Sequence, residues 1–272
     1  MSTICKSPSI FNTPAFTFLI GKDRSRLTIH AGTVRKISEP LYALINNGQF
    51  QESNSRLAVL EDVEEDTFLA FCEFLYTGTY TTPNLMASED NSKCDLKTVE
   101  PSPADEPEDM DASSWPAPKK KKGKKGAHWQ EAVTCHNCPY DRLWQSFTAR
   151  DFAAEPASVS TKPDVLFHAK LYVFATKYLI DSLGEKCLKS LHRDLCVFSL
   201  DKNTTSRILE LIVLTYERTG RDELGGGSPL RDLVVHYAAC KARTLFGGDG
   251  ELRILLDWNA ELGSDLVVKL VT

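Results

Sequence analysis

The chain has 272 residues, of which 42% are hydrophobic, and a formal net charge of −5. This size and apolar content suffice for one or two domains with a real core, and the negative charge argues against generic or sequence-specific nucleic-acid binding. No apolar run of about 18 residues predicts a transmembrane helix, and the first twelve residues lack a signal-peptide pattern. Eight cysteines in a chain of this length predict free thiols in a reducing compartment. We therefore expect an intracellular protein, cytoplasmic or nuclear.

The first eighty residues predict a small sheet and the helices that follow it. Apolar side chains alternate in residues 16–20 and again in 27–30, and the turn-forming residues between them predict a hairpin. Pro40 predicts the first turn of a helix whose N-cap is Ser38. A short apolar run at residues 57–60 predicts a third strand.

A strongly apolar helix is predicted after the third strand. The acidic segment 62–65 precedes it, at the position where negative charges stabilise a helix by interacting with the positive end of its dipole. It ends at residues 76–80, with the sequence Tyr-Thr-Gly-Thr-Tyr. Its apolar positions recur at helical spacing and predict one buried face; they are Phe68, Phe71, Cys72 and Leu75.

Residues 83–163 differ in composition from the rest of the chain. Residues 83–127 are rich in Pro, Ser, Asp and Glu. Ordering a backbone costs about 1–2 kcal/mol per residue, which such a segment cannot offset by burying apolar surface. We therefore predict a mostly disordered insertion. Its last part, residues 128–152, is expected to dock in part onto the folded region because it carries four large aromatic side chains. They are Trp129, Trp144, Phe147 and Phe152.

A series of helices is predicted after the insertion. Ser182 and Glu185 form a capping-box pattern, and Ser228 followed by Pro229 is typical of another helix start. The predicted helices cover, in order, residues 164–179, 182–191, 204–219, 229–246, 252–258 and 266–271.

With these segments in order, the chain resembles the BTB/POZ domain family, in the form common among fungal proteins. The hairpin is similar to the family's first two strands, and residues 49–53 followed by 57–60 are similar to its loop into the third strand. Residues 68–80 resemble its helix that ends in a Tyr-Thr-Gly turn, and residues 166–191 resemble its next pair of helices.

The resemblance implies an α+β fold, in which a BTB/POZ-like helical cluster is flanked by a small sheet. Its first part is expected at residues 14–82 and its second part at 164–195, with the insertion at 83–163 between them and an α-helical C-terminal extension at 196–272. The two parts are expected to share one hydrophobic interior. Many family members form homodimers through an N-terminal extension, and that extension is short here.

Phe50 and Glu52 match a hydrophobic-x-Glu pattern by which some BTB proteins bind a cullin scaffold. In that interpretation Phe50 is an apolar anchor and Glu52 sets the register, as in other interface hot spots. The alternative interpretation is structural, with Phe50 covering the core and Glu52 capping a helix or facing water. The sequence leaves both open.

Two further candidate sites lie in the predicted insertion. Cys135 and Cys138 have the spacing of one zinc-ligand pair, but a structural zinc site needs four ligands and the sequence has no second Cys-x-x-Cys, so two free thiols are the alternative. A block of lysines predicts either a nuclear import signal or a solvated basic segment that balances the acidic one before it. These lysines are Lys119, Lys120, Lys121, Lys122, Lys124 and Lys125.

Enzymatic motifs and cofactor motifs are not found in the sequence. The glycine-rich segments lack the strand and lysine of a phosphate loop, and the histidines are scattered and predicted to be structural. The leading hypothesis is a non-enzymatic interaction module, serving as a substrate adaptor for a cullin-type ubiquitin ligase. One alternative is a nuclear regulatory protein that uses the lysine block, and a more distant one is a zinc-binding protein.

Overall fold

The N-terminal part of the described chain contains a three-stranded mixed sheet. We analysed a computed structural model that describes residues 10–83, 139–158, 164–201, 204–223, 226–247 and 250–271. The central strand β1 (Ala15–Ile20) is antiparallel to β2 (Ser25–His30) and parallel to β3 (Leu57–Leu60). Phe16, Phe18 and Ile20 alternate toward the core and are almost completely buried. The predicted hairpin and third strand are thus confirmed.

The rest of the described chain is mostly helical, so the α+β class is confirmed. A short 3₁₀ helix at Ile10–Asn12 precedes the sheet. The α-helices are α1 (Glu39–Asn46), α2 (Gln51–Ser55), α3 (Glu65–Thr77), α4 (Pro139–Thr148), α5 (Val165–Lys177), α6 (Asp181–Val197), α7 (Thr205–Arg218), α8 (Pro229–Cys240), α9 (Ala242–Phe246), α10 (Glu251–Trp258) and α11 (Ala260–Val271).

Two predicted N-caps are present. The hydroxyl of Ser38 accepts a hydrogen bond from the Leu41 amide at 3.2 Å and donates one to the Tyr178 carbonyl at 2.6 Å. Ser38 therefore starts α1 and also ties it to the end of α5. Ser228 caps α8 in the same way, by accepting from the Arg231 amide at 3.4 Å.

The predicted capping box at Ser182 is wrong. α6 begins one residue earlier, at Asp181, and its N-cap residue Ile180 makes no side-chain cap bond. The chain instead turns sharply at Leu179, which has φ +52°, so that the Ile180 amide donates to the Ala175 carbonyl at 2.8 Å. Burial of the Ile180 side chain holds this turn in place, and the start of α6 follows from it.

The described residues before and after the predicted insertion share one hydrophobic interior. The ring of Phe174 on α5 lies 4.9 Å from that of Phe71 and 6.1 Å from that of Phe68, both on α3. Two ion pairs border this contact, Lys170 with Glu64 and Lys177 with Asp62. The expectation that residues 14–82 and 164–195 bury a common core is confirmed.

The last part of the predicted insertion belongs to the folded region. Residues 139–148 form α4, which packs against α8, and Phe147 is completely buried there. Residues 149–158 follow without a helix. The expected docking of the aromatic tract thus holds for its described part. Residues 84–138 lie outside the described residues.

The end of the described N-terminal segment lies beside the segment that follows α4. Thr81 forms an isolated parallel bridge with Ser158, whose amide donates to the Tyr80 carbonyl at 3.2 Å. The carboxylate of Glu73 accepts from the amide and the hydroxyl of Thr81 at 2.7 and 2.9 Å. Residues 80–81 are therefore fixed by contacts with Glu73 and with Ser158.

The C-terminal helices surround α8, which contacts α4, α6, α7, α9 and α11. Buried Arg231 on α8 donates hydrogen bonds to the carbonyls of Tyr216 and Thr219 at the end of α7 and lies over the Tyr216 ring. It also pairs with Glu261 on α11 at 2.5 Å. One side chain thus satisfies carbonyls that the end of α7 leaves free and joins three helices.

Candidate partner-binding site

The predicted partner-binding residues lie on a short helix that local hydrogen bonds stabilise. Phe50 is the N-cap residue of α2, with extended backbone, and its carbonyl accepts from the Ser53 hydroxyl at 2.9 Å and the Asn54 amide at 3.3 Å. The Asn54 side chain donates to the Gly48 carbonyl at 3.2 Å. Arg56, in the left-handed region at φ +54°, ends the helix before β3 begins.

The side chain of Phe50 is not a core residue. It is 45% exposed and lies outside the hydrophobic cluster that fills the interior. The structural interpretation in which Phe50 covers the core is therefore not supported. Sequence alone could not decide this, because Phe50 follows an apolar helix closely enough to fold back onto it.

Glu52 lies two residues after Phe50, on α2, and is half-buried. Its carbonyl accepts from the Arg56 amide and from the Ser55 hydroxyl. Within the described part of the chain its carboxylate makes no hydrogen bond or ion pair. The alternative role of Glu52 as a helix cap is therefore not seen, and the charge is free to meet a donor from another molecule.

The residues next to Phe50 in sequence are exposed. Residues 46–51 are all exposed, and apart from Gly48 and Phe50 each carries a side-chain amide. Exposed amides can form hydrogen bonds across an interface without the cost of burying a charge. The arrangement suits contact with a protein surface.

A buried polar network occurs elsewhere in the fold, and the sequence analysis missed it. His168 on α5 is fully buried; its Nε2 lies 3.1 Å from Asp194 on α6, and its Nδ1 lies 2.8 Å from the Tyr80 hydroxyl. An ionised carboxylate can only accept, so Nε2 of the ring donates to Asp194, and Nδ1 shares a hydrogen bond with the Tyr80 hydroxyl. Arg193 also donates to Asp194 and to the Ala157 carbonyl.

This network is structural in its contacts. It connects Tyr80, after α3, with Ala157, after α4, through α5 and α6. His168 and Asp194 are buried. The network therefore fastens residues 80 and 157 to α5 and α6.

Two further histidines attach α4 to the core. Nε2 of His192 lies 2.8 Å from the Phe147 carbonyl, and Nε2 of His236 lies 3.1 Å from the Leu143 carbonyl. Nδ1 of His236 faces Arg150 at 3.2 Å and so accepts from the guanidinium. Both rings are therefore neutral donors to α4, in agreement with their predicted structural role.

Stability should fall as the pH is lowered below the ordinary histidine pKa of 6.5, because protonation of these rings opposes α4 docking. Burial lowers the pKa of His236, and the positive charges of Lys269 and Arg150 lower it further. The hydrogen bond to the Leu143 carbonyl and the negative charge of Asp232 raise this pKa, but by less. Burial likewise lowers the pKa of His192. A group with a depressed folded-state pKa loses its contribution as pH falls, at most about 1.4 kcal/mol per pH unit for each proton.

The measurement is urea unfolding of the wild type and of His236→Gln between pH 7 and pH 5. Glutamine can donate to the Leu143 carbonyl but does not titrate, so its free energy of unfolding should depend less on pH. Equal slopes for the two proteins would contradict the assignment.

The other predicted sites lie outside the described residues. These are the zinc-like pair Cys135 and Cys138 and the lysine block from Lys119 to Lys125. Among the residues that the structure describes, no group of three or more His, Cys, Asp or Glu is placed to hold a metal ion. None of the described helices is both long and apolar enough to span a membrane.

Comparison with known proteins gives no family assignment. No protein-family model matches the sequence, and no curated protein is significantly similar to it. The functional argument therefore depends on the geometry of the chain itself.

Proposed function

We propose that this chain is a non-enzymatic interaction module of the BTB/POZ type, and that it serves as a substrate adaptor for a cullin-type ubiquitin ligase. The observation that carries the proposal is the exposed Phe50 ring at the start of α2, a short helix with its own hydrogen bonds, followed two residues later by the unpaired Glu52 carboxylate. The match of these residues to the hydrophobic-x-Glu pattern supports it. So do the small sheet and the helix pair around a common core.

The energetic part of this role belongs to Phe50. An aromatic side chain buries roughly 150–250 Å² in full, and Phe50 has 45% of its surface still exposed. At roughly 25 cal/mol per Å², burying that remainder contributes about 2 kcal/mol. Glu52 would contribute orientation and specificity more than affinity, since a charge at the rim of an interface mainly fixes register.

Phe50→Ala should weaken binding to a purified cullin by about 10- to 30-fold, the equivalent of the lost apolar contact. Glu52→Lys should weaken it as well, by reversing the charge that sets the register. The measurement is biolayer interferometry with each member of a panel of purified cullins, and unfolding curves for each variant establish that the fold is intact.

The matched control is Leu69→Ala, because Leu69 is exposed to a similar degree, 43%, on α3. This variant should bind a cullin like the wild type. Wild-type protein that binds no cullin in the panel, or a Phe50→Ala variant that binds as well as the wild type, would rule out the adaptor role through this site.

A further inference from the structure

A surface cleft of about 540 Å³ lies between α4, α8 and α11. Its volume falls within the roughly 300–1,000 Å³ that is usual for ligand pockets. Each of the three helices contributes polar side chains to its lining, and none of the lining side chains is a carboxylate. These polar side chains are Arg142 and Ser146 of α4, His236 of α8 and Lys269 of α11.

Positive charge exceeds negative charge at this cleft. The carboxylate of Asp232, on α8, is shared by Arg150 at 2.5 Å and Lys269 at 2.6 Å. Arg142 is exposed on α4, and its side chain forms no ion pair within the described part of the chain. Among the described residues that line the cleft or bond to a side chain lining it, three cations therefore accompany a single carboxylate. Two positive charges are left without a partner charge.

Two of the three cations are fixed in position. The guanidinium of Arg150 donates to Nδ1 of His236 at 3.2 Å in addition to its pairing with Asp232. The side chains of Arg150 and Lys269 are only 24% and 28% exposed. Cations held in this way lose little further freedom when a ligand binds, and salt screens them less than it screens fully exposed charges.

Hydrogen-bond donors remain available in the cleft. A lysine ammonium has three donors and a guanidinium has five, and Lys269 directs only one of its donors to Asp232. Ser146 lies four residues after Arg142, on the same side of α4. Within the described residues, neither the Ser146 hydroxyl nor the Arg142 guanidinium makes a hydrogen bond. Donors and positive charge without a lining carboxylate favour an anionic ligand.

Apolar side chains line the rest of the cleft. They are Leu143 of α4 and Leu270 and Val271 of α11. Leu270 is 37% exposed and Val271 is 77% exposed, so both present apolar surface to a ligand. Pockets that combine apolar lining with a few placed polar groups fit ligands with an apolar body and a polar end. A simple inorganic ion would leave this apolar surface uncovered.

We propose that the cleft between α4, α8 and α11 binds an organic phosphate monoester. A phosphate monoester carries about −1.5 to −2 charges at pH 7, which matches two unbalanced cations, whereas a carboxylate would neutralise only one. Its oxygens accept hydrogen bonds from Arg142, Lys269 and Ser146, and the fork of the guanidinium suits two of these oxygens at once. Its organic group covers Leu270. The proposal does not depend on the partner-binding role of α2.

The test is isothermal titration calorimetry of the full-length chain with phenyl phosphate, in phosphate-free buffer at pH 7. We expect one saturable site with a dissociation constant between about 10 µM and 1 mM. Inorganic phosphate should bind about tenfold more weakly, because it has no apolar body to bury. Benzoate, which keeps the ring but carries one charge, should also bind about tenfold more weakly or worse.

Arg142→Gln should raise the dissociation constant for phenyl phosphate about tenfold or more, because it removes a charge-assisted hydrogen bond. Ser146→Glu should abolish binding, since it places a carboxylate where the phosphate would lie. Arg207→Gln is the matched control, because Arg207 is exposed on α7 and does not line the cleft, and it should keep the wild-type affinity. All three positions are exposed, and unfolding curves establish that each variant is folded.

Three results would overturn the proposal. They are a wild-type chain that shows no saturable binding of phenyl phosphate up to about 10 mM, an Arg142→Gln or Ser146→Glu variant that binds it like the wild type, and benzoate that binds as tightly as phenyl phosphate.

Discussion

Phe71→Ala should lower the free energy of unfolding by about 3–5 kcal/mol, the usual cost of removing a buried aromatic ring. Phe71 is fully buried, with its ring 5.5 Å from that of Phe68 and 4.9 Å from that of Phe174. Phe174 lies on α5, beyond the insertion. The cavity left by this substitution would therefore weaken the packing of residues before and after the insertion. These two parts of the chain should unfold in one transition.

Urea denaturation followed by circular dichroism measures the loss. Hydrogen exchange at amides of β1 and of α6 shows whether both parts lose protection together. Leu69→Ala, on the exposed face of the same helix, should cost less than about 1 kcal/mol and is the control. Loss of protection confined to β1 and its neighbours would show that the two parts are separate cooperative units, contrary to the shared core.

Local sequence signals predicted the elements of this fold well because their causes are local. Ser38 and Ser228 cap their helices as expected, since the cap bond reaches only three residues along the chain. The alternation in β1 likewise predicts its buried face. The prediction of a capping box at Ser182 was wrong because the start of α6 is determined by the tight turn at Leu179, and that turn depends on burial of Ile180.

Contacts over long distances in sequence could not be predicted. Tyr80 and His168 are 88 residues apart, and no pattern in either segment indicates that a hydroxyl and an imidazole will meet. The same holds for α4, whose docking depends on His192 and His236 from two later helices. For the candidate site, the sequence identified Phe50 and Glu52 as residues, but their exposure depends on the path of the chain from α1 to β3.

The most damaging single change to polar contacts should be Asp194→Ala, with an expected loss of about 3–5 kcal/mol, because it removes one partner from a buried charged network. The carboxylate of Asp194 is 7% exposed and accepts from His168 at 3.1 Å, from the Asp164 amide at 3.2 Å and from Arg193 at 2.8 Å. Without it, these donors lose their acceptor in the interior, and Asp164, which caps α5, loses its support.

Asp194→Asn should cost less than Asp194→Ala, because the amide oxygen can still accept from His168. Asp151→Ala is the control; its ion pair with Lys189 is 3.6 Å long and its side chain is 97% exposed, so the change should be within about 1 kcal/mol of the wild type. An Asp194→Ala variant no less stable than that control would show that the network contributes nothing to the fold.

The pH dependence of the Asp194 contribution follows from its charge. Burial raises the pKa of this carboxyl, but the hydrogen bond and charge of His168 and then of Arg193 outweigh burial, so the pKa lies below its ordinary value of 3.8. A carboxyl with a depressed folded-state pKa stabilises the fold fully above its ordinary value and loses that contribution as the pH falls through the lower one. The stability difference between wild type and Asp194→Asn should therefore stay constant from pH 7 to about pH 5 and shrink only in stronger acid. A difference that already shrinks between pH 7 and pH 6 would contradict a depressed pKa of Asp194.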